Sequence, residues 1–103
     1  MIVILKSKKG THYAVGEYDG QRVTILPNSK INTTLSYAAM SERIKSMRNN
    51  PEYVSAEGII LKEIEFGNPS SAAQFVTGRS VNGYISWRID DKISLKEYRE
   101  KSK

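Results

Sequence analysis

The N-terminal third of the chain alternates short apolar runs with polar turns, a pattern typical of β-strands. Met1–Leu5 is apolar throughout and is interpreted as a buried strand, and Thr11–Tyr18 is rich in residues that favour strands. Asp19-Gly20 is a tight-turn signal, so Gln21–Leu26 is predicted to return beside the preceding strand. Residues 1–34 are therefore predicted to form a β-meander.

A helical period follows this meander. Apolar residues recur at spacings of three and four, as expected for one face of a helix, at Tyr37, Met40, Ile44 and Met47. The pattern predicts a helix over Leu35–Asn49, with Thr34 or Ser36 as its N-cap. Because proline disfavours helical geometry in the residue before it, Pro51 is expected to end this helix.

A second helix is marked at both ends by residues with special backbone preferences. Asn68 is a candidate N-cap, Pro69 suits the first helical position, and Gly78 suits a left-handed C-cap. A helix of about nine residues is marginal alone, so this one is expected to lie on a sheet. Before it, Tyr53–Phe66 is predicted to supply two short strands around a turn at Glu57-Gly58.

A half-buried strand is predicted near the C-terminus, after a turn at Asn82-Gly83. Apolar and polar positions alternate along this strand. One face carries Ile85, Trp87 and Ile89, and the other face carries Tyr84, Ser86 and Arg88. This alternation predicts that Trp87 is a core anchor and that Tyr84 and Arg88 face solvent.

The order of these elements predicts an α+β fold with a mostly antiparallel sheet, two main helices and a short C-terminal helix. The short helix is predicted from a capping box formed by Ser94 and Glu97. At 103 residues the chain is expected to be a single domain. Its predicted parts are a β-meander at 1–34, a helix at 35–50, a strand–helix–strand block at 53–95, and a short helix and tail at 96–103.

Composition excludes several kinds of chemistry. The chain has no Cys and one His, which excludes disulfides, thiolate metal sites, Cys nucleophiles and cages that need two imidazoles. The apolar N-terminal run is too short for a membrane span or a secretory signal, so we expect a cytoplasmic protein without membrane association. The net charge of +5 favours an acidic partner such as nucleic acid, although many soluble domains carry a charge of about 2–8.

None of the candidate catalytic groups is in a pattern typical of an active site. The glycines form no phosphate-binding loop, and His12 stands alone in a predicted strand. Ser70 and Ser71 fall in the first turn of a helix, where they satisfy free N–H groups. Glu52 and the later Asp90-Asp91-Lys92 loosely resemble the acidic pair and lysine of metal-dependent nucleases, but they are predicted outside rigid strands. We therefore expect no catalytic activity, no cofactor and no metal.

The segment Phe66–Trp87 resembles an uncharacterised domain found at the C-terminus of some GIY-YIG nuclease-like and restriction-associated proteins. It is also similar to the RAMA (restriction enzyme adenine methylase associated) domain. The matching residues are Phe66, Pro69, Ser70, Ala72, Ala73, Gly78, Arg79, Ser80, Asn82, Gly83 and Trp87. Asn68 and Ser71 depart from the pattern. The resemblance implies an accessory role in DNA recognition, through the proteins on which the domain is found.

Arg79 is the centre of the predicted binding surface, because it directly follows the helix-closing Gly78 in a polar loop. Arg and Asn contact phosphates and base edges, Lys contacts phosphates, and an exposed Tyr stacks on bases. The candidate nucleic-acid contacts are Arg79, Ser80, Asn82, Tyr84, Arg88, Lys8 and Lys9. The favoured function is a non-catalytic accessory module that binds DNA, with weak and salt-sensitive binding to a duplex.

A protein-interaction domain is the alternative function. The Tyr53–Phe66 region contains candidate edge strands. Within it, Ile59-Ile60-Leu61 is apolar enough to pair with a strand of a protein partner or of a second copy in a homodimer. This alternative requires no nucleic acid.

Overall fold

Six β-strands form an antiparallel sheet in the computed structural model, which describes residues 1–33, 41–79, 81–89 and 92–101. Within these residues the strands are β1 (Ile2–Lys6), β2 (Tyr13–Tyr18), β3 (Val23–Ile25), β4 (Ile64–Phe66), β5 (Arg88–Ile89) and β6 (Ile93–Ser94). The helices are α1 (Glu42–Arg48), α2 (Pro69–Thr77), α3 (Gly83–Ser86) and α4 (Leu95–Lys101). None of these described helices is long and apolar enough to cross a membrane. The α+β class with an antiparallel sheet is confirmed.

The predicted N-terminal meander is confirmed, and β1 lies in the interior of the sheet. The strand order is β4-β3-β2-β1-β5-β6. Val3 and Leu5 are buried, whereas Ile2 is 49% exposed. The expectation of a wholly buried first strand is therefore wrong, because side chains of β1 alternate between a covered face and an open face of the sheet.

The hydrophobic core lies between the covered face of the sheet and the helices. Trp87, Phe66 and Phe75 are its largest fully buried side chains. The rings of Phe66 in β4 and Phe75 in α2 have centroids 5.2 Å apart, so an aromatic contact joins this strand to the helix. The prediction that Trp87 is a core anchor is confirmed.

Helix α1 is shorter than the predicted helix over Leu35–Asn49. Ser41 has an extended backbone, and its side chain accepts a hydrogen bond from the backbone N–H of Ile44, so it is the N-cap. The prediction of a continuous helix through Ser41 is therefore wrong, because the Ser41 cap begins α1 at Glu42. The helix ends at Arg48 with Asn49 as its C-cap, one residue before the predicted end. The candidate caps Thr34 and Ser36, together with Tyr37 and Met40, lie outside the described residues.

Helix α2 begins and ends as predicted. The side chain of Asn68 accepts a hydrogen bond from the backbone N–H of Ser71 at 2.8 Å. Gly78 ends the helix in the left-handed region at φ 77°, and its N–H donates to the carbonyl of Gln74. Both ends depend on local residue preferences, which is why the sequence predicts them.

The strand predicted from Tyr84 to Ile89 is wrong over its first half. Asn82 caps α3 by accepting a hydrogen bond from the backbone N–H of Tyr84 at 3.0 Å, and the strand is limited to Arg88–Ile89. Ile85, which alternation placed in the core, is 50% exposed. Local capping by Asn82 outweighs the strand pattern here. Trp87 is the C-cap of α3, and its side chain is fully buried.

The predicted strand pair in Tyr53–Phe66 is confirmed only in part. Val54 and Ile60 form an isolated bridge around a turn in which Gly58 has φ 85°, and β4 is the one regular strand described in this region.

At the C-terminus, the hydroxyl of Ser94 accepts a hydrogen bond from the backbone N–H of Glu97. The Ser94 half of the predicted capping box is thus confirmed.

Candidate nucleic-acid interface

A basic turn connects β1 to β2 and projects Lys8 and Lys9 into solvent. The hydroxyl of Ser7 accepts hydrogen bonds from the backbone N–H of Thr11 at 2.7 Å and from its hydroxyl at 3.0 Å. Gly10 closes the turn at φ 77°, a conformation that favours glycine. The turn is therefore held by its own polar groups, and the two lysine side chains remain exposed.

The tip cleft, defined by Lys8, Lys9, His12, Thr77 and Arg79, lies between this turn and the end of α2. Its volume is about 390 Å³. Arg79 is held by the capping geometry of α2, because its backbone N–H and carbonyl both hydrogen-bond the hydroxyl of Thr77. The Arg79 side chain is exposed. The hydrogen bonds to Thr77 thus fix the Arg79 backbone, and the Arg79 side chain lines the same cleft as Lys8 and Lys9.

The sheet cleft, defined by Ile4, Lys6, Lys8, Ser86 and Arg88, lies on the other side of the same turn. Its volume is about 380 Å³. Arg88 is exposed in β5 and is paired with Ile4 of β1, so the guanidinium lies on the open face of the sheet. Lys8 lines both clefts. The two clefts therefore adjoin at Lys8, with Arg79 on one side of the hairpin turn and Arg88 on the other.

The structure thus brings together four of the predicted contacts, namely Lys8, Lys9, Arg79 and Arg88. Among the described residues, none of these four side chains forms an ion pair. No described residue that lines either cleft is acidic. The positive charges of these four side chains are therefore not neutralised by an acidic residue of the described part of the protein.

Two further predicted contacts, Asn82 and Tyr84, lie elsewhere. Asn82 and Tyr84 line a third cleft with Lys96, Arg99 and Glu100. The guanidinium of Arg99 stands 4.6 Å from the centre of the Tyr84 ring, so one face of that ring is already covered. Ser80 lies outside the described residues. The single binding surface predicted from sequence is therefore divided between two regions.

The acidic residues considered for a metal-dependent nuclease do not form a described site. Glu52 forms an ion pair with Lys62 at 2.7 Å, and this contact lowers the pKa of Glu52 and raises that of Lys62. Asp90 and Asp91 lie outside the described residues. Lys62 therefore has an acidic partner of its own, unlike the lysines of the hairpin turn.

Much of the Phe66–Trp87 block has a structural role. The indole Nε1 of Trp87 donates a hydrogen bond to the carbonyl of Pro69 at 3.1 Å. The backbone N–H of Gly83 donates to the hydroxyl of Ser70 at 3.1 Å. A Cβ at Gly83 would lie 2.2 Å from the carbonyl carbon and oxygen of Pro69, so the start of α3 packs directly on the backbone of α2. We call this contact the Gly83–Pro69 junction.

A model of the domain of unknown function DUF4357 matches residues 4–99. The chain belongs to this family. The match includes the N-terminal meander as well as the Phe66–Trp87 block, so this DUF4357 domain contains the hairpin turn and both basic clefts. No curated protein and no solved structure matches the chain significantly.

His12 reports the electrostatic character of the tip cleft in this DUF4357 domain. Its pKa is lowered from 6.5, first by burial of the imidazole and second by the positive charge of Arg79.

We expect Arg79→Ala to raise the pKa of His12 towards 6.5, because it removes a neighbouring positive charge. An NMR titration of this single imidazole measures the change. An identical midpoint in the variant would contradict the expected interaction between the two groups.

Sequence reasoning missed one buried charge and several surface residues of this DUF4357 domain. The Arg48 side chain is buried, and it donates hydrogen bonds to the backbone carbonyls of Phe75 and Asn32. Lys6 lines the sheet cleft, and Lys96 and Arg99 line the third cleft. The helical spacing of Ile44 and Arg48 was the available signal, since residues four apart share one face of a helix.

Proposed function

We propose that this DUF4357 domain is a non-catalytic accessory module that binds nucleic acid through the turn between β1 and β2. The observation that supports the proposal is the concentration of Lys6, Lys8, Lys9, Arg79 and Arg88 around two adjoining clefts lined by no described acidic residue. Such a surface attracts polyanions and gains free energy when bound counterions are released. DNA is the proposed nucleic acid.

A nuclease- or restriction-associated context is part of this proposal. It is supported by the resemblance of Phe66–Trp87 to the domain carried by GIY-YIG nuclease-like and restriction-associated proteins, and by the similarity to the RAMA domain. In that context the domain positions a catalytic partner on DNA and performs no chemistry itself. The support comes from association, and the binding experiment below does not depend on it.

Arg79→Ala is expected to weaken DNA binding and to reduce its salt dependence. Removal of one phosphate contact lowers the slope of log K against log salt concentration by about 0.9 for duplex DNA. The measurement is fluorescence anisotropy of a labelled DNA duplex with a single-stranded tail, at several salt concentrations. This probe offers paired and unpaired strands together.

Arg43→Ala is the matched control for this experiment. Arg43 is an exposed arginine on α1 and lines neither basic cleft. The control removes the same charge from another part of the surface, so its effect on affinity is expected to be smaller. No binding at low salt, or equal losses in the two variants, would overturn the proposed interface.

A protein-interaction function through Ile59-Ile60-Leu61 has weaker support. The N–H of Ile60 donates to the carbonyl of Ser29, and the carbonyl of Ile60 accepts from the N–H of Asn28. These internal bonds occupy the backbone of Ile60, which is 1% exposed. Sedimentation velocity without nucleic acid separates the two functions, since the alternative requires a dimer or a bound partner protein.

A further inference from the structure

An exposed tyrosine lies between two lysines on the open face of the sheet. Tyr13 of β2 is paired with Lys6 of β1 on one side and with Lys30 on the other. The Tyr13–Lys30 pair exchanges both backbone hydrogen bonds, at 2.9 and 2.8 Å. Directly opposed residues of antiparallel strands project to the same face, so these three side chains form a cross-strand row.

This row is accessible and adjoins the basic clefts. Tyr13 is 49% exposed, and Lys6 and Lys30 are exposed. The next row along the open face pairs Arg88 with Ile4, and Ile4 with Val15. Lys6 and Arg88 line the sheet cleft. The aromatic ring is therefore beside the positive surface of the hairpin turn.

Charge changes sign along the same open face. Towards the other end of the sheet, Glu17 is paired with Ile2 and with Thr24, and Thr24 is paired with Glu65. Glu65 forms an ion pair with Arg22 at 3.4 Å, so Glu17 supplies the negative charge at this end. A polyanion is therefore attracted more strongly to the Tyr13 end. This polarity specifies where a nucleic-acid strand would lie.

We propose that Tyr13 stacks on an unpaired base, and that the substrate class of this interface is single-stranded nucleic acid. Lys30 lies directly beside Tyr13 and Arg88 lies in the next row two strands away, and both would contact the neighbouring phosphates. The faces of bases within a duplex are already stacked on one another, whereas those of a single strand are available to an aromatic ring. This inference rests on the proposed function and specifies the form of its ligand.

The test compares a labelled single-stranded deoxythymidine 20-mer with a duplex of the same length by fluorescence anisotropy. Wild-type protein is expected to bind the single strand more tightly. Tyr13→Ala is expected to lose about tenfold in affinity for it, because the substitution removes the proposed base–aromatic stack. Tyr13→Phe is expected to retain most of the affinity, because it keeps the ring.

Two controls separate stacking from a general effect of substitution. Ile2→Ala changes a residue that is also 49% exposed on the same face but is paired with Glu17, and it is expected to bind as wild type does. An abasic 20-mer keeps the phosphates without the bases, so Tyr13→Ala is expected to bind it as wild type does.

The outcomes distinguish this inference from the proposed function. Absence of binding to both forms of DNA would overturn both. Binding that depends on Arg79 but prefers the duplex, or is unchanged in Tyr13→Ala, would overturn the inference and leave the basic interface. Circular dichroism of each variant checks that the fold is retained; Tyr13 is exposed, so its replacement is expected to preserve the fold.

Discussion

Replacing Gly83 with alanine is expected to lower the free energy of unfolding by about 3 kcal/mol or more. The added Cβ would lie 2.2 Å from the carbonyl carbon and oxygen of Pro69 and 2.4 Å from the backbone nitrogen of Ser70. These are backbone atoms, so no rotation of a side chain relieves the clash. Alanine favours helices over glycine by about 1 kcal/mol, which is too little to offset the separation of α2 from α3.

Gly67→Ala is the matched control for this prediction. A Cβ at Gly67 meets no heavy atom within 4 Å, and the residue is exposed just before α2. Its substitution is expected to change the free energy of unfolding by no more than about 0.5 kcal/mol. Urea unfolding followed by Trp87 fluorescence measures both variants. Similar stabilities for the two would show that the Gly83–Pro69 junction is not tightly packed.

Arg48→Met is expected to destabilise the domain by about 3 kcal/mol or more. The guanidinium donates to the carbonyls of Phe75 in α2 and Asn32, and it is buried. Methionine retains much of the side-chain volume and donates no hydrogen bond, so both acceptors lose a charged donor. A buried acceptor without a partner costs about 1–3 kcal/mol, and a positive charge near the C-terminus of α2 is also lost.

Arg43→Met, on the exposed side of the same helix, is the matched control and is expected to have a small effect. Thermal unfolding by circular dichroism compares the two variants at the same pH and salt concentration. Arg48→Lys is expected to have an intermediate stability, because one ammonium replaces a planar group that reaches two carbonyls. Equal stability of Arg48→Met and wild type would contradict the bridging role of Arg48.

Elements fixed by local chemistry were the ones that could be predicted from the sequence. Asn68 and Gly78 mark the two ends of α2, and each preference acts within a few residues along the chain. The strand predicted around Tyr84 failed because apolar alternation was given more weight than the Asn82 cap. The final position of Trp87 also depends on its hydrogen bond to Pro69, a contact that no local pattern shows.

The sequence was sufficient to predict which residues belong to the candidate interface, but not how these residues are arranged relative to one another. Lys8, Lys9, Arg79 and Arg88 were identified as exposed cations, but their proximity depends on where the end of α2 and β5 lie against the hairpin. The cross-strand row at Tyr13 requires the register of β1 and β2 and the bridge to Lys30, which the sequence leaves undetermined. Arg48 was missed because its spacing of four residues from Ile44, which places both on the buried face of α1, was not used.

The connection between α2 and α3 is fixed at both ends, by the left-handed Gly78 and by the capping Asn82. The exposed Arg79 side chain has little part in holding the helices together, since the Gly83–Pro69 junction does so directly. Exchange of the side chain at position 79 is therefore expected to alter ligand preference at little cost to the scaffold. If Arg79 binds nucleic acid as proposed, ligand choice and maintenance of the fold depend on different residues of one short stretch, so the residue at position 79 could diversify while Gly78 and Gly83 are retained.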